Sequence, residues 1–399
     1  MLKTDTHSVD ILIVGGGTAG ITVAASLAKR KIFSSITILE PSKVHYYQPL
    51  WTLVGAGIFP KESSEKREAD LIPSGVDWIQ DAAETFLPQT NRVITTTGRE
   101  ITYRYLVVCP GMEIFWDKIQ GLKETLGTSG VVSNYSYNSV ESTWRAIHQF
   151  KKGRAIFTFP NTPIKCGGAP QKIMYLAEDY FRKVHIRNEC EVVFASAGNS
   201  IFGVKKYADA LNVILKKRGI ISWYRQNLIA IDAKNKQAIF KNLDTGEDTT
   251  LPFEMIHVTP PMGAPAFIKR SPLADSEGWI SVDKFSLQHT KFSNVFGLGD
   301  ASSLPTSRTG AAIRKQSPVL IENLISLFRD RPLTAKYQGY TSCPLVTRYG
   351  KVILAEFDYD GNRCETFPFD QSKERSSLYF FKKHILPLLY WEGMLKGRL

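Results

Sequence analysis

The sequence is as informative in what it lacks as in what it has. It has no stretch of about 18 uncharged apolar residues, so no helix is expected to cross a bilayer. Its five cysteines are an odd number and never spaced as CxxC, which disfavours a secreted disulfide scaffold or a zinc site, and we expect no metal. Residues 1–10 are polar and have neither the apolar region of a signal peptide nor the arginines of a transit segment.

Acidic residues are also scarce relative to basic ones. The chain has 38 Asp and Glu against 50 Lys and Arg, which gives a formal net charge of +12. Such an excess favours an anionic partner. Since no run of basic and aromatic residues resembles a nucleic-acid module, we expect an acidic membrane surface instead. The 399 residues are enough for two or three domains with substantial cores.

A glycine-rich turn stands near the start of the chain. An apolar strand is predicted over residues 9–14, a helix from 21 to about 29, and a second strand over 35–39. The turn between the first strand and the helix has the pattern GxGxxG at Gly15, Gly17 and Gly20. This context is typical of a dinucleotide-binding βαβ unit, although a glycine-rich turn of another α/β protein remains an alternative.

The residue types around this turn suit a dinucleotide. Glycines let backbone N–H groups approach a pyrophosphate, and the N-terminus of the helix favours its negative charge. Glu40, about 20 residues beyond Gly20, would accept hydrogen bonds from ribose hydroxyls. Two later strand ends are predicted to complete the site, one at Gly111 and one at Gly299 and Asp300.

A second α/β unit follows, but it lacks a second glycine-rich turn. Its first strand is predicted over residues 154–159 and its first helix from about 171 to 182. The connection between them, residues 160–170, has no GxGxxG and has three prolines, which have no N–H to offer a phosphate. Residues 196–198, Ser-Ala-Gly, stand where an acid should hold the ribose. We interpret this unit as one that keeps the fold and has lost the nicotinamide site.

Cys166 lies in this connection, at the place where the second glycine-rich turn would be expected. Cys166 and Cys343 both stand in proline-flanked segments, 163–170 and 340–344, which we predict to be loops with exposed thiols. Two buried cysteines without a chemical role are the alternative, because free cysteine is among the most buried residue types. A thiol in place of a nicotinamide site indicates that the reductant is a thiol or sulfide. Lys165 and Lys172 flank this loop, and their charge would favour a thiolate.

The C-terminal segment, residues 377–399, combines aromatic and basic residues. It is too short, and too interrupted by Pro387, to span a membrane, but aromatic residues beside lysines suit a headgroup boundary. A helix packed on the body of the protein is the alternative.

Together these features make the chain similar to the sulfide:quinone oxidoreductases, over nearly its whole length. Four longer strings resemble the mitochondrial-type branch of that family, at residues 157–163, 169–176, 202–207 and 367–375. Other branches have a third essential cysteine in the N-terminal half. The nearest candidate is Cys109, which we interpret as structural, together with Cys190 and Cys364.

The resemblance implies an α/β fold with two Rossmann-like dinucleotide-binding domains, as in the disulfide reductases, and a C-terminal amphipathic region that associates with a membrane. The expected division is residues 1–115 and 276–335 for the two parts of an FAD-binding domain, 116–275 for a second Rossmann-like domain without a working NAD(P) site, and 336–399 for the C-terminal region.

The resemblance also implies a function. FAD is bound non-covalently, hydrogen sulfide is oxidised at a Cys166–Cys343 redox bridge, and two electrons pass through FAD to ubiquinone or another quinone. Cys343 carries the incoming sulfur as a persulfide, Cys166 faces the flavin, and a thiol or sulfite takes the sulfane sulfur. The quinone and substrate positions are Lys172, Tyr379, Phe380, Phe381 and Lys382.

The same resemblance places the protein peripherally on the mitochondrial inner membrane, on its matrix side, or on a bacterial cytoplasmic membrane, with the oligomeric state open. Two other functions stay open. A type II NADH:quinone dehydrogenase would need the missing second glycine-rich turn, and a catalytically silent FAD-binding module would not respond to sulfide.

Overall fold

The computed structural model of the protein describes residues 7–399. The first six residues, which belong to the polar start and to the expected FAD-binding part at 1–115, lie outside the described residues. The division of the chain at residues 115, 275 and 335 stays a prediction.

The strands follow one another in chain order as β1 His7–Val14, β2 Ile36–Leu39, β3 Val44–Tyr46, β4 Glu65–Arg67, β5 Asp77–Ile79, β6 Ala83–Leu87, β7 Arg92–Thr95, β8 Glu100–Val108, β9 Glu113–Ile114, β10 Val131–Val132, β11 Gly153–Phe159, β12 Cys190–Ser196, β13 Ile221–Tyr224, β14 Gln226–Asp232, β15 Gln237–Asn242, β16 Asp248–Pro252, β17 Met255–His257, β18 Met262–Gly263, β19 Val295–Gly297, β20 Thr341–Arg348 and β21 Lys351–Phe357. The α-helices are α1 Thr18–Arg30, α2 Trp51–Val54, α3 Leu122–Thr125, α4 Val140–Gln149, α5 Ala169–Lys183, α6 Lys205–Arg218, α7 Ala266–Lys269, α8 Gly310–Phe328, α9 Ser376–Phe380 and α10 Leu386–Leu388.

The first sheet has seven strands in the order β5-β2-β1-β8-β7-β6, and β19 pairs with β8 from much later in the chain. Its centre is parallel, because β1 pairs in parallel with both β2 and β8. Ile11, Leu12 and Ile13 are fully buried, as expected for a central parallel strand that is covered on both faces. The carboxyl ends of β1, β8 and β19 therefore meet at one edge, and the glycine-rich turn leaves from that edge.

The second sheet has five parallel strands in the order β10-β17-β11-β12-β13. Helix α5 follows β11 and helix α6 follows β12, so the predicted α/β unit is present, with helix bounds within two residues of those expected for α5. The turn between β11 and α5 is the one that contains Cys166.

The C-terminal region begins with an antiparallel pair, β20 and β21. The prediction that Cys343 lies in an exposed loop is wrong, because Cys343 is in strand β20 and only 1% exposed. Pro344, which suggested the loop, is compatible with this strand. In a two-stranded ladder every strand is an edge, and a proline without an N–H is tolerated there.

The tail is helical. After α9, two π-helical stretches, Phe381–Ile385 and Leu389–Met394, flank the short α10. Pro387 lies within the first two residues of α10, where its missing N–H is least disruptive. Of the helices in residues 7–399, none has both the length and the apolar character needed to cross a bilayer.

Candidate functional site

The glycine-rich turn is shaped by close backbone contacts. Gly15 has a φ of +106°, and a Cβ there would lie 2.6 Å from the carbonyl oxygen of Cys109. A Cβ on Gly20 would be 1.8 Å from the carbonyl oxygen of Gly15. Both positions therefore require glycine.

Gly17 is open rather than crowded. It is the N-cap of α1 and receives no side-chain capping bond, and a Cβ added to it would meet no described atom within 4 Å. Gly111, just beyond β8, has a φ of +79° and is equally open. The space beside Gly17, at the N-terminus of α1, is thus free of side chains, as a pyrophosphate site requires.

Glu40 lies at the end of β2 as predicted. Its carboxylate accepts hydrogen bonds from the backbone N–H groups of Gly16, at 2.7 Å, and Ser42, at 2.8 Å. These bonds fix the carboxylate beside the turn, with lone pairs left for a ribose. A second carboxylate, that of Glu68, lies next to Gly16 on the same side as Glu40, since a Cβ on Gly16 would be 2.5 Å from Glu68 Oε1 and 2.7 Å from Glu40 Cγ. The sequence did not single out Glu68.

Gly299 and Asp300 lie just after β19, at the carboxyl edge of the first sheet. Gly299 has a φ of +73° and its N–H donates to the side chain of Gln316 at 2.9 Å. Burial raises the pKa of Asp300, and the charges of Lys165 and Arg308 oppose that shift. Asp300 therefore lies within electrostatic reach of the loop that carries Cys166.

The Cys166 loop is a tight turn anchored at both ends. Cys166 has a φ of +52°, which is unusual for a residue with a side chain. Its N–H donates to the carbonyl of Arg308 at 2.8 Å, and its own carbonyl accepts from Ala169 at 2.7 Å. These two bonds hold the backbone in a conformation that the residue alone would avoid, as is common at reactive sites.

The two cysteines singled out from the sequence come together. The Sγ atoms of Cys166 and Cys343 are 3.3 Å apart, although 177 positions separate them. The expectation that both thiols are exposed is wrong, because Cys166 is only partly exposed and Cys343 is buried. Gly168 lets β20 approach so closely, since a Cβ there would lie 2.4 Å from Cys343 Sγ.

Lys172, near the start of α5, contacts this pair of cysteines. It is 5% exposed, and its Nζ donates to Cys166 Sγ at 3.3 Å. The pKa of Cys166 is lowered well below its usual value, first by the hydrogen bond from Cys343 and then by the charge of Lys172, against the effect of burial. The pKa of Cys343 is raised by the same hydrogen bond and by burial. The hydrogen bond from Lys172 and the lowered pKa therefore favour the thiolate at Cys166 rather than at Cys343.

The pKa of Lys172 also depends on the two cysteines. Burial alone would lower the pKa of Lys172, but the charges of the two cysteines and its hydrogen bonds to them outweigh burial and raise it. Lys172 is thus placed to stabilise a thiolate at Cys166 inside the protein. Lys165, the other lysine of the loop, points elsewhere and donates to the side chain of Gln48 at 3.1 Å.

Lys382 approaches the same site from the C-terminal tail. It is 3% exposed and donates to the carbonyl of Pro49 at 3.1 Å. Burial and the neighbouring charge of Lys172 lower its pKa to about 7, while Cys166 and Cys343 oppose this shift. Two lysines from distant parts of the chain therefore share the surroundings of one sulfur pair.

The aromatic residues of the tail do not form one surface. Phe380 is 58% exposed, whereas Tyr379 and Phe381 are partly buried, and Phe381 packs edge-on against Phe367 with ring centroids 5.6 Å apart. Tyr390 is buried, with its ring centroid 4.3 Å from that of Tyr47. One face of the tail therefore packs on the body of the protein and another is exposed, and contact of the exposed face with a membrane stays a prediction.

The other three cysteines lie apart from the sulfur pair. Cys109 is buried against the glycine-rich turn, with its Sγ 3.6 Å from the carbonyl oxygen of Gly15, and burial raises its pKa. Burial also raises the pKa of Cys190 and of Cys364. Each of these three thiols is thus biased towards its unreactive, protonated form.

Several residues of the site carry no sequence signal that would have revealed them. Gln48, Pro49 and Glu68 belong to segments with no recognisable motif, and only the folded chain brings them to the site. Gly168 did have a signal, because a Gly-Gly pair directly after a candidate reactive cysteine indicates close packing of another backbone or side chain.

The family model described as pyridine nucleotide-disulphide oxidoreductase matches residues 9–144. The mitochondrial sulfide:quinone oxidoreductase of Mus musculus is 50% identical over 395 residues, covering 99% of this chain and 88% of the mouse protein. That of Dictyostelium discoideum is 52% identical over 391 residues, covering 97% and 86%.

A solved structure agrees in fold. The sulfide:quinone oxidoreductase of Aquifex aeolicus, a hyperthermophilic bacterium, is 18% identical and matches with a TM-score of 0.83 over 98% of this chain and 92% of that one. Identity at half of the positions over nearly the whole length, together with a pyridine nucleotide-disulphide oxidoreductase fold whose second nucleotide turn carries a cysteine, assigns the chain: it belongs to the sulfide:quinone oxidoreductase family.

Proposed function

We propose that the protein oxidises hydrogen sulfide and passes two electrons to a quinone, with Cys166 and Cys343 as the redox pair. The observation that carries this proposal is the 3.3 Å approach of the two sulfurs in the turn between β11 and α5. A relative that used NAD(P)H would have a glycine-rich turn at that point. A type II NADH:quinone dehydrogenase is disfavoured for this reason.

Family membership implies FAD, and the first sheet offers a suitable cradle. Gly17 and Gly111 leave open space where side chains would intrude, and Glu40 is held beside the turn with free lone pairs. The residues that would hold FAD are Gly15, Gly17, Gly20, Glu40, Gly111, Gly299 and Asp300. When bound, FAD supplies a two-electron relay between sulfur and quinone. We propose that it binds non-covalently, since the described cysteines beside the turn offer only the buried, protonated Cys109.

The first chemical step follows from the unequal cysteines. In the oxidised protein the two sulfurs form a bridge, and hydrosulfide attacks one of them while the other leaves as a thiolate. The sulfur with the lower thiol pKa is the better leaving group. Because the pKa of Cys166 is lowered and that of Cys343 is raised, attack is directed to Cys343. Cys343 becomes the persulfide, and Cys166 keeps the electron pair of the broken bond.

Lys172 has two tasks in this scheme. Before attack, its buried charge attracts hydrosulfide towards the bridge. After attack, its hydrogen bond stabilises the Cys166 thiolate. A small nucleophile, a thiol or sulfite, then takes the terminal sulfur of Cys343 and leaves Cys343 as a thiol. Re-forming the bridge between Cys343 and Cys166 releases two electrons, which bound FAD would accept and pass on to the quinone.

We further propose that residues of the C-terminal tail form the quinone site. Lys382, with a pKa of about 7, can donate a proton or a hydrogen bond to a quinone oxygen as it is reduced. Phe381 and Tyr379 would line the apolar approach, and Phe380 offers an exposed ring to lipid. These residues, with the surplus of positive charge, support peripheral contact with an acidic membrane surface. By likeness to the mitochondrial relatives, that membrane is proposed to be the mitochondrial inner membrane.

The experiment adds sulfide and then NADH to purified, FAD-loaded protein while flavin absorbance and quinone reduction are recorded. Sulfide should bleach the flavin and reduce quinone, and NADH should do neither. Reduction by NADH but not by sulfide would overturn the proposal. Cys166→Ser should retain FAD and lose sulfide-dependent bleaching. If this variant kept full activity, the mechanism would be wrong even though the function stood.

A further inference from the structure

Both cysteines of the sulfur pair are held by the same short segment of the chain. This segment, residues 307–309, lies between the edge of the first sheet where β19 ends and the start of helix α8. The carbonyl of Arg308 accepts the N–H of Cys166 at 2.8 Å, and Lys165 pairs with Arg308 in an isolated parallel β-bridge. Cys166 is therefore attached to the segment through its own backbone.

Cys343 is attached to the same segment through Thr341, two residues earlier on β20, so that both side chains lie on one face of the strand. The hydroxyl of Thr341 donates to the carbonyl of Ser307 at 3.2 Å and lies 2.9 Å from the hydroxyl of Thr309. Since a hydroxyl has one proton, and that of Thr341 goes to the carbonyl, Thr309 is the donor between the two threonines. Both threonines are buried, so bulk water does not compete for these bonds.

The segment is itself fixed on both sides. Thr309 is the N-cap of α8, and its hydroxyl oxygen accepts the N–H of Ala312 at 3.0 Å. Arg308 Nε donates to the carbonyl of Asp300 at 2.9 Å, and the guanidinium carbon lies 4.0 Å from the centre of the Trp279 ring. A planar guanidinium that is held by a carbonyl and an aromatic face has little freedom. The backbone of Arg308 is thereby tied to the edge of the first sheet.

We propose that segment 307–309 holds the sulfurs of Cys166 and Cys343 in contact, with Arg308 and Thr341 as positioning residues. The proposal rests on the two cysteines being the redox pair of the proposed function. Neither positioning residue contacts a sulfur through the bonds described. Each acts on the backbone beside one cysteine, and so on where its sulfur lies.

Positioning of this kind favours the bridge. Two thiols that are held in contact have a high effective concentration for each other, because little freedom is lost when the bond forms. If the segment is loosened, the reduced sulfurs can separate, and bridge formation then costs more entropy. Cys166 in particular can relax, since its φ of +52° is one that a residue with a side chain rarely adopts. Loss of the hydrogen bonds should therefore destabilise the bridge relative to the two thiols.

Thr341→Val tests the proposal without changing the shape of the side chain. FAD-loaded protein is equilibrated in glutathione buffers, in which oxidised glutathione accepts the two electrons and two protons that the thiols release. Alkylation and intact mass then give the number of free thiols. The loss of one or two hydrogen bonds should lower the equilibrium constant for bridge formation about two- to tenfold. Thr341→Ser, which keeps the hydroxyl, should stay close to the wild type, and equal losses in both variants would overturn the role of the hydroxyl.

Thr37→Val is the matched control for this substitution. Thr37 is also a fully buried strand residue, but it lies in β2 and its hydroxyl has no partner among residues 7–399. This variant should keep the wild-type equilibrium constant. If Thr341→Val also kept it, the attachment of Cys343 to the segment would not govern the bridge, and the proposal would be wrong.

Arg308→Met tests the attachment of Cys166, and it should lower the equilibrium constant in the same direction. Arg314→Met is the control for the lost charge, because Arg314 stacks on Tyr340 at 5.9 Å and donates to none of residues 307–309. Equal losses in both arginine variants would show an effect of charge and would overturn the positioning role of Arg308. Wild-type protein that formed no bridge even in oxidised glutathione would instead refute the proposed redox pair, so the two failures are distinguishable.

Discussion

Gly168→Ala isolates the packing that brings the two sulfurs together. Gly168 has φ −90° and ψ −7°, so alanine is tolerated by the backbone and the effect is steric. The new Cβ would lie 2.4 Å from Cys343 Sγ and 2.4 Å from Leu345 Cδ2, where real Cβ atoms keep at least 3.0 Å, so each neighbour must yield by at least 0.6 Å. Overpacking of this kind costs about 1–3 kcal/mol.

The cost should fall mainly on the oxidised protein. A reduced Cys343 can rotate its Sγ away from the methyl group, whereas a bridged Cys343 cannot. Since about 1.4 kcal/mol corresponds to about 30 mV for a two-electron couple, the reduction potential of the bridge should rise by roughly 20–60 mV. Equilibration of the protein with glutathione buffers, followed by quantification of the free thiols, gives this potential.

Gly167→Ala is the internal control. Its Cβ would meet only Ser307 Oγ, at 3.8 Å, which is an ordinary contact, and Gly167 is not among the positive-φ glycines. The control should therefore keep the wild-type potential. If Gly168→Ala folded normally and its potential matched that of Gly167→Ala, close packing at Gly168 would not govern the bridge, and the reasoning would be refuted.

Substitutions at three further positions test the charges of the site and its cysteines. Lys172→Met should raise the pKa of Cys166 and so shift the pH profile of iodoacetamide alkylation of the reduced enzyme to higher pH. Lys172→Arg, which keeps the charge, should give a profile closer to that of the wild type. Equal profiles for the wild type and both variants would contradict a charge interaction between Lys172 and Cys166. Lys382 has a pKa of about 7 in the folded protein and 10.5 as its ordinary value, so the unfolded chain binds more protons between these limits and wild-type stability should rise with pH there. The Lys382→Met substitution should therefore increase the free energy of unfolding in urea more at pH 6 than at pH 9. An increase that did not depend on pH would argue against a low pKa of Lys382. Cys364→Ser should leave sulfide-dependent quinone reduction unchanged, and a large loss would show that a third cysteine takes part.

The dinucleotide turn could be predicted from the sequence because its determinants are local. Gly15, Gly17 and Gly20 stand within six consecutive residues, between an apolar strand and an apolar helix. The structure has these elements at His7–Val14 and Thr18–Arg30, so the predicted helix, from residue 21, starts three residues late. Helix ends are set by capping contacts, which a pattern of apolar residues does not report.

Cys343 shows where local reasoning fails. A proline next to a cysteine suggested a loop, but the segment pairs with β21 and buries Thr341, Cys343 and Leu345 on one face. Strand pairing depends on a partner elsewhere in the chain, and alternation over so few residues is a weak signal on its own. The sulfurs of Cys166 and Cys343 do come together, 3.3 Å apart, whereas the redox role of the pair stays a prediction. The exposure prediction was wrong because it rested on the local backbone.

The burial of Lys382, in the C-terminal tail, could not be predicted from the local sequence either. An aromatic and basic sequence indicates an amphipathic helix, but it does not say which face meets the protein. Lysine is rarely buried, so its place in a basic run favours the surface. Only the contact with Pro49 and the proximity of Lys172 reveal that this lysine lies inside, with its pKa lowered to about 7.

The charge of the site therefore depends on its redox state. In the reduced protein the Cys166 thiolate compensates Lys172 and partly supports the charge of Lys382. The Cys166–Cys343 bridge removes that negative charge and leaves Lys172 and Lys382 buried without a counter-ion. The pKa values of both lysines must then fall. The site therefore either becomes electropositive or loses a proton. While the lysines keep their protons, an anion such as hydrosulfide is attracted most strongly to the oxidised form, which in the proposed mechanism is the form that it attacks. Once the thiolate is released, the attraction weakens and Lys382 regains affinity for a proton.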